Sequence, residues 1–260
     1  MSDFIKTYVE DGVQVIILNR PNKKNAFNKE MIEQWSKCLK EAKEEERIRV
    51  ILLTGAGDAF CAGGDVGGMN AHQTPLDNKN KLWESIHKIP LTLKDMDKPV
   101  IAAINGPAVG AGLDMALMCD LRFIKKATKI SEGYVKVGLV PGDGGAYFLP
   151  KIVGESKALE LLWTGEFIDS EEALRIGLVN KVLEEDRFFE EVLNYAKNIA
   201  SGPQIAIRMT KRAVKYSNTM RVEEALDFIS SQYAIIKETN DHIEGVSAFK
   251  EKRKPNFNGN

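Results

Sequence analysis

Apolar and polar positions alternate with two periods along the chain, and the switches between them mark its elements. Residues 5–10 and 13–19 are β-rich runs joined by Asp11-Gly12, a hairpin signal. Arg20-Pro21-Asn22 closes the second run, and Asn28 caps a helix predicted to reach about residue 46. Residues 50–54 are a continuous apolar strand followed by the small-residue loop GAGDAFCAGGDVGGM. The polar stretch 70–80 is expected to be mobile, and 81–96 to be a helix interrupted or kinked at Pro90. Strands follow at 99–104 and 121–124. Strand, turn and helix recur in that order, which predicts α/β layering with largely parallel strands. The spacing is too irregular for a sequence repeat.

Helices are predicted at 155–163, at 171–176 and over Phe188–Ala200. The second should open on a capping box of Asp169 with Glu172 and close at Gly177. Ser201-Gly202-Pro203 divides residues 1–200 from a wholly helical 201–260. In that last region Val222, Leu226, Ile229, Tyr233 and Ile236 fall on one helical face. The stripe packs either on the chain's own core, the simpler expectation, or on another subunit.

The segment 99–120, PVIAAINGPAVGAGLDMALMCD, stands apart. A buried strand leads through a turn of small residues into a helix that is apolar except for Asp114. Bare backbone N–H groups at such a turn bind an anion or a developing oxyanion. Asp114, among Leu113, Met115, Ala116 and Leu117, should be poorly solvated, which raises a carboxyl pKa and suits a proton carrier. The plain alternative is an aspartate serving free N–H groups in the helix's first turn.

Composition narrows the classes. The chain has 260 residues, enough for one large domain or two, with 43% hydrophobic and 28% charged residues. A net charge of −1 leaves no electrostatic footprint for nucleic acid. Cys38, Cys61 and Cys119 are widely spaced, which points to reduced thiols and not to a disulfide framework or zinc site. No signal core or membrane span is evident, so a cytoplasmic protein is expected. Gly55-Ala56-Gly57 and Gly110-Ala111-Gly112 lack the third glycine of a dinucleotide loop, and neither a phosphate loop nor a nucleophile elbow is present. His72, His87 and His242 are dispersed and read as surface residues, so no metal is implied.

A second small-residue loop, Phe60-Cys61-Ala62-Gly63-Gly64-Asp65-Val66, also follows a buried strand. Should both strands end on one side of a sheet, two loop amides converge on one point, as a thioester enolate requires. Taken singly, either loop is simply a tight turn.

FCAGGDV, then INGPAVGAGLDMALMCDLRF, then VGLVPGDGGAYFLPKIVG resemble the enoyl-CoA hydratase/isomerase (crotonase) family. The similarity extends from RPNKKNAFN to SAFKEKRKPNF, essentially the whole chain. It implies a crotonase-like spiral of ββα turns with a C-terminal α-helical region that builds trimers, often stacked as hexamers. It also moves the 222–236 stripe towards a subunit contact. Carried over by position, the oxyanion amides belong to Ala62 and Ala111, and Lys24, Ala26, Ala62, Gly63, Gly64, Asp65, Val66 and Gly110 border the acyl-CoA. Lys252 and Arg253 resemble basic residues that meet CoA phosphates, or are a solvated charge run. Asp114 falls on the first of the family's two glutamate positions, and the second falls on Tyr134. The partner acid is then Glu132 or Asp143, with Tyr134 a weaker candidate; Asp143 could instead cap the helix beginning at Gly144. The resemblance implies an acyl-CoA enzyme, with hydration of a 2-enoyl-CoA first and double-bond isomerisation second. A non-catalytic CoA-binding or scaffold homologue is the alternative of another class. No cofactor is implied, since CoA belongs to the substrate.

Overall fold

The structure is a computed structural model describing residues 3–65, 67 and 74–260. β1 (Ile5–Glu10) and β2 (Val13–Leu18) form the hairpin, with Asp11 and Gly12 at φ 48° and 79° in its turn. Asn28 accepts the Met31 N–H and opens α1 (Lys29–Glu44), which leads to β3 (Val50–Gly55). The next strand of the same sheet is β4 (Val100–Ile104), and β2, β3 and β4 run parallel in matched register. Leu18 pairs with Gly55 and Thr54 with Ala103, so all three strands end at one edge.

From β4 onward the chain winds in ββα turns. β5 (Ala108–Val109) leaves the large sheet for a smaller one, and α4 (Ala111–Leu117) follows. β6 (Leu121–Lys125) returns to the large sheet, β7 (Lys129–Ser131) joins the small one, and α5 (Gly145–Val153) and α6 (Glu155–Thr164) follow. β8 (Ile168–Asp169), α7 (Ser170–Arg175) and β9 (Lys181–Leu183) finish the spiral. The large sheet has the order β1-β2-β3-β4-β6-β9 and the small one β5-β7-β8. Asp169 accepts the Glu172 N–H to cap α7, and Gly177 ends that segment at φ 73°.

Both faces of the large sheet are covered, which explains its unbroken apolar strands. Ile51 and Leu53 face one core with Trp35 and Leu39 of α1, while Val50 and Leu52 face another with Val192 and Ala196 of α8 (Phe188–Ala200). α9 (Gln204–Ser217), α10 (Val222–Lys237) and α11 (Asn240–Glu251) complete the chain. Arg208 and Arg212 hold Asp97, and Lys211 and Lys215 hold Asp120, tying α9 to the start of β4 and the end of α4. Among the described residues no helix is long and apolar enough to cross a membrane.

Two local expectations are corrected. The helix of 81–96 is two helices, α2 (Pro75–Glu84) and α3 (Lys88–Lys94), broken after Ser85 and not at Pro90. Pro90 lies in the first turn of α3, where its missing N–H has no intrahelical acceptor to lose. Residues 70–73 of the polar stretch, with His72, lie outside the described residues. Intramolecular packing also fails for the apolar stripe: Val222, Leu226, Ile229 and Tyr233 are exposed and Ile236 is half-buried.

A close approach joins α4 to the loop after β3. A Cβ on Gly112 would lie 2.1 Å from the Cys61 carbonyl oxygen, backbone against helix. Gly112→Ala should therefore lower Tm by about 3–10 °C through overpacking, measured by calorimetry. An unchanged Tm would show that the two segments part without cost.

Candidate active site

Because β2, β3 and β4 end at one edge, the loops after them meet there, and two asparagines pin them. Asn25 Oδ1 accepts the Arg20 N–H at 2.9 Å, and its amide donates to the Ala56 and Ala59 carbonyls at 2.8 Å. Asn105 Oδ1 accepts the Gly55 N–H at 3.0 Å, and its amide donates to the Gly57 carbonyl at 3.0 Å. The loops are also laced as short parallel bridges, Phe27 with Gly64 and Cys61 with Ala108.

This lacing corrects one amide. The Ala62 N–H donates to the Lys24 carbonyl at 2.9 Å, so it is not free for a ligand. Phe27 bonds instead to the residues flanking Gly64, donating to the Gly63 carbonyl and accepting the Asp65 N–H. The Gly64 N–H therefore points away from Phe27 and has no acceptor among the described residues. The Ala111 N–H is likewise unpartnered, as expected for the first residue of a helix. A Cβ on Gly63 would lie 3.0 Å from the Val109 carbonyl oxygen and 3.6 Å from the Ala111 nitrogen. The free amides thus belong to adjoining loops. Gly63 at φ 93° makes the turn that separates the Ala62 and Gly64 amides; the sequence signals the permission but not the direction.

The other residues expected beside the substrate divide. Lys24, Ala26, Gly63, Gly64 and Asp65 are brought together, with Arg20 bonding both the Ala26 carbonyl and, at 2.9 Å, Asp65. Gly110 lies across from them, against the Tyr134 ring. Val66 is outside the described residues. Arg253 pairs with Glu244 and Glu251 at 2.6 Å, and Lys252 is the left-handed end of α11. The Arg253 charge is therefore already matched within its own segment.

All the candidate acids converge. Asp114 is fully buried, Glu132 is 1% exposed and Asp143 is 8% exposed. The Tyr134 hydroxyl lies 2.6 Å from Asp114 Oδ2 and 3.0 Å from Asp143 Oδ2. Asp143 does not cap α5, whose N-cap is Gly144. His87, half-buried and not a plain surface residue, donates from Nε2 to the Gly142 carbonyl at 2.8 Å beside Asp143. Gly145 leaves room for the cluster, since a Cβ there would lie 2.4 Å from Asp114 Oδ1 and 3.1 Å from Glu132 Oε2.

Burial is the main cause of every shift in this cluster. It raises the Asp114 carboxyl to about 7, with Asp143 raising it further and the Tyr134 hydroxyl opposing. Burial also raises Asp143 and Glu132, the latter aided by the charges of Asp114 and Asp143. The Tyr134 phenol is raised by burial and by the acids around it, so it stays a donor. One hydroxyl hydrogen serves one of two carboxylates well, and a proton on either acid would satisfy the second contact. The arrangement can therefore pair an acid with a base. Sequence reasoning ranked Tyr134 as a weaker acid and missed both this bridge and His87. Their signal lies in how residues 132–145 fold against His87, which no local pattern carries.

The family profile described as enoyl-CoA hydratase/isomerase matches residues 8–260. The chain is 35% identical to the 1,2-epoxyphenylacetyl-CoA isomerase of Escherichia coli (strain K12), covering 100% of both. It is 34% identical to the crotonyl-CoA hydratase of Syntrophomonas wolfei, covering 95% of each. The crystal structure of an enoyl-CoA hydratase from Bacillus anthracis superposes with a TM-score of 0.90 at 33% identity, covering 99% of this chain and 100% of that one.

A carboxyl raised from 3.8 to about 7 binds more protons folded than unfolded in that window, so stability falls as pH rises through it. Asp114→Asn removes this penalty. Its gain in Tm should be roughly twofold larger at pH 7.5 than at pH 5. Equal changes at the two pH values would mean that Asp114 ionises normally.

Proposed function

Because this chain belongs to the enoyl-CoA hydratase/isomerase family, we propose that it adds water across the double bond of a 2-enoyl-CoA. It is an enzyme of that family. In the proposed reaction the thioester oxygen accepts from the Gly64 and Ala111 amides, which hold the enolate that forms when hydroxide reaches the β-carbon. Loss of one such donor typically costs about 3 kcal/mol. An ionised carboxylate of the Asp114–Asp143 pair takes the proton from water, and the protonated member returns one to the α-carbon. The Tyr134 hydroxyl connects the two. The observation that carries this reading is that hydroxyl, within hydrogen-bond reach of both carboxylates, because it can pair an acid with a base side by side. An Asp114 pKa of about 7 suits a group that both gives and takes a proton near neutrality. The chemistry asks for no cofactor beyond the CoA of the substrate.

Isomerisation is the second reading, favoured by the same hydroxyl. Tyr134 occupies the point between the carboxylates where a water would be shared, and one relay suffices to move a proton between the α- and γ-carbons. The likeness to an isomerase of matching length supports it.

Assembly and location complete the reading. α10 buries none of its residues in one chain, which supports a homotrimer or hexamer built through its apolar stripe. A cytoplasmic setting fits the free thiols of Cys38, Cys61 and Cys119.

Incubation with a 2-enoyl-CoA should remove the conjugated thioester absorbance and raise the product mass by one water. A 3-enoyl-CoA gaining conjugation without mass change would select the isomerase instead. CoA binding without turnover of either would overturn both in favour of a non-catalytic homologue. Asp143→Asn and Tyr134→Phe should each lower kcat by about 10²-fold or more with folding intact, as a general acid–base role demands. Sedimentation of the purified protein as a monomer would sink the assembly reading.

A further inference from the structure

Glu132 lies behind the reacting pair and takes no part in the proposed proton transfers. It is 1% exposed, deeper than Asp143, and stands just before the 133–137 turn that carries Tyr134. Both Glu132 carboxyl oxygens are buried without a donor among the described residues, and beside the Asp114 carboxyl stand the Tyr134 hydroxyl and the Gly145 N–H. Asp114 Oδ1 and Glu132 Oε2 flank the same point at Gly145. Two carboxylates repel at such a place, whereas one proton between them supplies the missing donor. The groups facing Glu132 are Asp114 from α4, Tyr134 from the turn after it and Asp143 from the loop before α5. His87, bonded to the Gly142 carbonyl, faces Asp143 from the other side.

We infer that Glu132 is a positioning residue that stays protonated and donates its carboxyl proton to Asp114 Oδ1, leaving Asp114 Oδ2 to face the Tyr134 hydroxyl. Burial and the like charges of Asp114 and Asp143 push Glu132 well above the ordinary carboxyl range, while the bond it gives lowers Asp114. Asp114 is thereby fixed in orientation and kept able to ionise near neutral pH. The inference rests on Asp114 being the proton carrier of the proposed reaction.

The test compares Glu132→Gln with Glu132→Met. Glutamine keeps a neutral donor, so kcat should stay within about threefold of wild type and its pH profile should hold. Methionine removes the donor, so ionised Asp114 loses a hydrogen bond and the acid-side limb of kcat should move up by about one pH unit. A glutamine variant as inactive as the methionine one would make Glu132 a titrating catalyst and overturn the inference. A limb that moves down in Glu132→Gln would do the same, because it would mean that wild-type Glu132 is ionised. The infrared difference between wild type and Glu132→Gln at pH 7 is a readout independent of turnover. A protonated carboxyl band supports the inference even in a protein that turns over no enoyl-CoA, and a carboxylate band overturns it.

Discussion

Parallel register at one sheet edge is the constraint on which the rest of this structure depends. β2, β3 and β4 stop together, so the chain leaves the sheet three times across neighbouring strands. Segments that emerge this close must satisfy one another's backbone groups, and they do so through the bridges of Phe27 with Gly64 and Cys61 with Ala108. Asn25 and Asn105 consume most of what remains. The N–H groups of Gly64 and Ala111 are among those left over after this pairing.

The acids obey the opposite logic. Asp114, Glu132 and Asp143 arrive from α4, from the end of β7 and from the loop before α5, into a space too deep for water to solvate three charges. Such a cluster keeps protons that exposed carboxyls would lose, and the Tyr134 hydroxyl joins two of its acids. The result is a store of protons close to two unpaired amides. That is the combination a thioester enolate needs: donors for its oxygen and a proton for its carbon.

Much of this is legible in the sequence. The hairpin at Asp11-Gly12, the Asn28 cap and the capping residue Asp169 are local signals, each set by neighbours a few residues away. Asp114 stood out because a carboxylate in an apolar helix is costly wherever that helix packs. Two errors share one cause. Ala62 was assigned by its place in a motif, but the carbonyl of Lys24, far off in sequence, takes its amide. Likewise the break between α2 and α3 falls after Ser85, while the visible breaker, Pro90, sits where a helix tolerates it.

The sequence by itself determined which residue types could carry the chemistry: two loops of small residues after buried strands, and a few carboxyls in apolar surroundings. Only the tertiary structure decided which amides stay free and which acids meet at one hydroxyl. Both outcomes depend on partners brought from other turns of the spiral, and a hydrogen bond is lost over distances of less than one ångström. The 99–120 segment announces an anion site. The Tyr134 hydroxyl, arriving from the next turn of the chain, joins two of its acids beside that site.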